Sequence, residues 1–213
     1  MQTVYVAAIV VAGLTALPGM ASINLATGLD TSDNVITTSG GADAHWTVIG
    51  GAPAQVATAS SPGGAIGAWV NNNSVSAWIL GDASTPYGNA QGNNSVYSRQ
   101  FDLSGYLLSS VTLGGGAWAV DDTARLVLNG NPVSSLPVGQ WGALTPFSVP
   151  NSYFLPGVNT LEIRMGWTDN VLEGARLEGT IEGVAVPEPS TWLAGFALCL
   201  TMAGPLVRRV RKE

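Results

Sequence analysis

Apolar and polar residues alternate through the middle of this 213-residue chain, and near both ends the alternation gives way to continuous apolar runs. From Ser95 to Leu103, Val96, the Arg99 stem, Phe101 and Leu103 stand among polar neighbours. Leu126, Val127 and Leu128 lead into Asn129 and Gly130, a dipeptide that turns a hairpin after a strand. Thr160 to Trp167 sets Leu161, Ile163, Met165 and Trp167 against Glu162, Arg164 and Gly166, and Leu177, Gly179, Ile181 and Gly183 continue the theme. A period of two gives one dry and one wet face, so these segments read as strands. Further strand candidates are Trp46 to Ile49, Ala65 to Val70, Ser74 to Leu80 and Leu108 to Leu113. Gly50 to Gly64 and Gly81 to Asn94 read as long loops, and Asn151 to Gly157 as a turn. No long amphipathic helix interrupts them, and short strands between Gly, Pro and Asn loops predict an all-β sandwich.

The ends follow a different rule. Val4 to Leu17 is apolar over signal-peptide length, and Gly19, Met20 and Ala21 supply small residues for a cut before Ser22. No Lys or Arg precedes this run, so the amino terminus supplies the positive charge or translation starts further upstream. At the other end, Trp192 to Val207 is apolar and is closed by Arg208, Arg209, Arg211 and Lys212, half of the chain's eight cations. Sixteen helical residues span roughly 24 Å, short of a hydrocarbon core of about 30 Å. The basic side chains must then snorkel or the bilayer thin. Cations at that end hold it in the cytoplasm and place the preceding domain on the opposite face. The expected organisation is a signal peptide at 1–21, a β-sandwich at 22–185, and a membrane-inserted tail at 186–213.

In the tail, Val186, Pro187, Glu188 and Pro189 precede the apolar run and the basic stop. This order and spacing resemble the PEP-CTERM sorting signal of Gram-negative bacteria. The resemblance implies recognition by an exosortase, a transient inner-membrane anchor, cleavage near the motif, and delivery to the cell surface or exopolysaccharide matrix. A second resemblance covers Ser95 to Gly183. Val111, Leu113, Ala117, Ala119, Asp121, Asp122, Leu126, Leu128, Asn129 and Gly130, then Pro146 and Phe147, Gly157 to Leu161 and Gly174 to Leu177, keep the order of galactose-binding-like jelly-roll modules. That implies a jelly-roll β-sandwich whose relatives often bind carbohydrate; it transfers no ligand.

Charge and chemistry narrow the function. Ser22 to Pro187 holds twelve acidic residues against Arg99, Arg125, Arg164 and Arg176. A net charge of −8 excludes the basic surface that nucleic acid or anionic lipid requires. Cys199 lies in the tail, so no disulfide staples the domain. His45 is the lone histidine and no nucleophile motif accompanies it, which argues against a Ser-His-Asp enzyme and against zinc. Asp121 and Asp122 are candidate calcium ligands if they share a loop, and otherwise a polar turn. Asp169 with Glu173 is a candidate glycosidase pair only if a cleft sets the two carboxyls about 5 to 10 Å apart.

Trp46, Trp69, Trp78, Trp118, Trp141 and Trp167 could stack on sugar rings, though tryptophan is first of all core material. Trp118 and Trp141, beside small residues, are expected to be exposed and to be the carbohydrate-binding pair. Trp46, Trp78 and Trp167 are expected in the core. Asn72 and Asn93 open sequons that carry no expectation of glycosylation. The preferred reading is a non-enzymatic surface or matrix protein that needs no cofactor, calcium excepted, and that binds or embeds in exopolysaccharide. The alternative is a secreted glycoside hydrolase using an acidic pair.

Overall fold

The structure is a computed structural model that describes residues 19–48, 50–60, 67–81, 95–166 and 173–186. The expected signal helix and transmembrane helix lie outside these residues. So do Trp167, Asp169 and Asn93. Among the described residues no helix is long and apolar enough to cross a membrane.

Among the described residues of the unit Met20–Ala185 there are eleven strands. They are β1 (Met20–Asn24), β2 (Ala42–Thr47), β3 (Pro53–Val56), β4 (Ile79–Leu80), β5 (Val96–Asp102), β6 (Thr112–Asp121), β7 (Thr123–Leu128), β8 (Asn131–Leu136), β9 (Thr145–Pro146), β10 (Val158–Gly166) and β11 (Gly174–Val184). All pair antiparallel in the order β8-β7-β10-β5-β2-β3-β4-β11-β6-β9, with β1 on β11. The β2–β3 pairing joins the two halves of this path. Trp46, Tyr97, Leu126, Leu161 and Ile163 from one half share a single core with Trp118, Val120, Ala175, Leu177 and Ile181 from the other. The architecture is all-β and fits a β-sandwich.

The strongest alternations are strands. In β10, Asn159, Leu161, Ile163 and Met165 are buried and Arg164 is exposed. Asn129 and Gly130, with φ of 50° and 80°, turn β7 into β8 as the Asn-Gly pair predicts. In β5 the inward set is Tyr97, Arg99 and Phe101, so the apolar partner at the start of that strand is Tyr97 rather than Val96.

Three strand expectations give way. Ser74 to Trp78 is not a strand; only Ile79–Leu80 is. The Asn73 Oδ1 accepts from the Val75 and Ser76 amides and the Asn72 Oδ1 from the Trp78 amide, so side chains occupy the donors a ladder would use. Gly67 to Val70 is likewise non-strand, and Leu108–Ser110 is a 3-10 turn that precedes β6. Conversely, Pro53–Val56 within the expected loop at 50–64 is β3. β1 begins at Met20, with Met20 opposite Val184, two residues before the expected cut.

A second apolar cluster sits on the outer face of β6 and β11. Trp69, Trp78, Leu80, Ala57 and Ala119 form it, with Trp141 and Leu144 packed against them. The Trp69 and Trp78 rings lie 4.2 Å apart at 37°. Arg176 of β11, fully buried, fastens this covering segment: its Nε donates to Ser76 Oγ at 2.7 Å, Nη1 to the Asn71 carbonyl, and Nη2 to Glu178 Oε1 at 2.9 Å. Leaving a buried guanidinium unsatisfied is costly, and each nitrogen of Arg176 is bonded.

Candidate functional site

Of the two tryptophans expected to face a ligand, Trp118 is corrected outright. It is fully buried in the main core, and its Nε1 donates to Ser134 Oγ at 3.3 Å. The reason is a bulge. Between Glu178–Ala117 and Thr180–Gly114, β6 has two residues where β11 has one, and Gly115 there takes φ 63°. The extra residue swaps faces, so Leu113 before it and Trp118 after it both turn to the core. Trp141 is half-buried against the Trp69–Trp78 cluster. Trp46 and Trp78 are buried as expected, their indole N–H groups donating to the Leu25 and Val70 carbonyls at 3.1 and 2.7 Å.

The acidic candidates lie at one end of the sandwich, where β6 passes into β7 and β11 begins. The peptide between Asp121 and Asp122 is cis. Asp121 Oδ2 accepts from Trp69 Nε1 at 2.8 Å, while Asp122 is 3% exposed. No group of three or more His, Cys, Asp or Glu side chains able to hold a metal occurs among the described residues. Glu173, one residue before β11, is buried at 2%, and its charge adds to the burial that pushes the Tyr97 phenol well above its usual range. Asp169, the other half of the expected glycosidase pair, lies outside the described residues.

His45 sits in β2 with its Nε2 3.1 Å from Asp33 Oδ1. Beside it, Asp43 accepts backbone N–H groups from Gly28, His45 and Trp46, at 2.5, 2.8 and 2.9 Å. Burial pushes its carboxyl up, and those three donors and Arg99 pull it back. Burial lowers Arg99 to about 10, against the attraction of Asp43 and Asp33. Arg99 reaches across the core from β5 to the Ala26 carbonyl at 3.4 Å. This cluster ties the segment after β1 to the opposite half and is spent on structure. Asn72 is also committed, bonded to Ala57 and Trp78.

Among the described residues, an open feature that the sequence did not single out is a groove of about 630 Å³ on the outer face of β7, β8 and β10. Arg125 and Arg164 stand directly opposite one another across β7 and β10, and Ser135 of β8 continues the row. Both arginines occupy polar positions of legible strands, but their adjacency depends on pairing register, which no local pattern reveals.

Val186 is 49% exposed and is the last described residue of the tail motif. Pro187, Glu188, Pro189, Arg208, Arg209, Arg211 and Lys212 lie outside the described residues. Residues 185–212 match the PEP-CTERM protein-sorting motif. Comparison with curated proteins and with solved structures gives no match.

Proposed function

We propose that this protein is a non-enzymatic surface or matrix component whose domain, a jelly-roll β-sandwich, binds or embeds in exopolysaccharide after sorting. The premise is the chain's exosortase-sorting motif, which marks it for export and membrane anchoring before processing. The observation that carries the reading is where that motif begins. Val184 still pairs with Met20, and Ala185, its first residue, bridges to Tyr106. The motif thus begins where the sheet ends, which supports the reading that the sheet-built body is what sorting delivers. Exopolysaccharide is the polymer there, and a net charge of −8 argues against nucleic acid as the partner.

Trp141, the half-buried indole, remains the aromatic candidate for stacking on sugar; Trp118 does not. The full-length chain, purified in detergent, is expected to bind a subset of glycans on an array without releasing reducing ends. Binding to none would refute the carbohydrate reading. Release of new reducing ends would replace it with the hydrolase.

A further inference from the structure

The domain has four cations, and two of them, Arg99 and Arg176, are buried. The only two it presents to solvent are Arg125 and Arg164, and the fold sets them side by side as cross-strand partners. Like charges directly opposite in a sheet repel. A chain with twelve carboxylates in this domain could separate them cheaply, and among the described residues only Arg164 is relieved. The Nε and Nη2 of Arg164 both donate to Glu162 Oε2, at 3.0 and 2.6 Å. The Arg125 guanidinium has no hydrogen-bond or ion-pair partner among the described residues. Both guanidinium groups thus face solvent, Arg164 paired along its own strand to Glu162 and Arg125 to no carboxylate among the described residues, beside a groove floored by Val127, which is 4% exposed.

The groove's volume of about 630 Å³ falls within the range of small-molecule sites, roughly 300 to 1,000 Å³. A planar carboxylate is the partner a guanidinium fork grips with two parallel bonds. Ser135, in the same row, offers a hydroxyl for the bonds that sugar alcohols make. From this geometry we infer that the Arg125–Arg164 groove is a binding site for an acidic sugar, the carboxylate of a uronic-acid residue lying against the two guanidinium groups. The inference rests on the glycan-binding reading and names the sugar class.

The test uses the full-length chain in detergent, titrated with an oligogalacturonide and with a neutral gluco-oligosaccharide of equal length. The oligogalacturonide is expected to bind, and the neutral sugar to bind at least tenfold more weakly. Arg125→Gln and Arg164→Gln should each weaken uronate binding about tenfold, the worth of one charge-assisted contact. Arg125→Lys should recover part of it, keeping the charge while losing the fork. An unchanged thermal midpoint in these variants shows that the fold persists. Uronate affinity untouched in the double variant overturns the assignment. So does equal competition by free acetate at the same carboxylate concentration, which would make the groove a simple anion site. Binding of neutral glycans without uronate overturns this inference and leaves the glycan reading standing; binding of neither removes both.

Discussion

Trp118 and Trp141 show how far a single residue can be read from its neighbours. Both stand beside small residues, and both look available for stacking on that ground. Counting by twos from Leu113 would even turn Trp118 outward. The bulge at Gly115 reverses that count, and the reversal is invisible without knowing that β11 lies opposite with one residue fewer. The energetic consequence is large. Trp118→Ala would remove a fully buried indole from the main core and is expected to cost about 3 to 5 kcal/mol. Trp141→Ala, at a half-buried position over the outer cluster, should cost clearly less. Urea unfolding of the two variants checks this, and comparable losses would mean that the burial assigned to Trp118 is wrong. Trp118→Ala is therefore unsuitable as a binding control, since any loss of glycan would report unfolding.

Among the elements, those with sustained period-two patterns were legible: β5, β10 and β11 each match an alternating segment of sequence, and β7 was marked by the Asn129–Gly130 turn that follows it. What misled was apolar content satisfied by covering a sheet instead of joining it. Ser74 to Trp78 has strand composition, but the Asn72 and Asn73 side chains take its amides and Trp78 plugs the outer cluster. Short strands such as β3 and β9 carry too few residues to declare a period. β1 was hidden for another reason, since its first residues also read as a cleavage region. A cut before Ser22 would leave Ser22, Ile23 and Asn24 paired with Glu182, Ile181 and Thr180. The following backbone bonds, Leu25 to Gly179 and Thr27 to Leu177, also survive. A chain beginning at Ser22 should accordingly keep its thermal midpoint within a few degrees of one beginning at Met20, the shift that about 1 kcal/mol produces in a domain of this size. Starting at Thr27 instead removes buried Leu25 and the carbonyls that accept from Trp46 and Arg99. That truncation should abolish the cooperative transition, as followed by circular dichroism. Retained cooperativity would show that the strand is dispensable.

At the scale of the whole molecule, the sorting motif was legible and the Arg125–Arg164 groove was not, for a physical reason. A sorting tail is read as a linear order of proline, acid, apolar run and cations, so its chemistry is carried by sequence alone. A groove such as the one beside Arg125 and Arg164 is instead assembled by register between strands distant in the chain. The boundary between the two sorts of information lies at the end of β11, where the last pairings, Val184 with Met20 and Ala185 with Tyr106, meet the start of the motif at residue 185. Among the described residues the pairings end at Ala185, two residues before Pro187. Replacing Pro187, Glu188 and Pro189 by alanines is therefore expected to block processing while leaving the domain folded. Fractionated cells should then hold a full-length form in the inner membrane, with little in the surface fraction, and its domain should resist protease as the parent's does. Gel mobility and surface yield equal to the parent's would show that these three residues do not direct sorting. A trapped form that is also protease-sensitive would show instead that the motif supports the fold, because failure to sort would then follow from failure to fold.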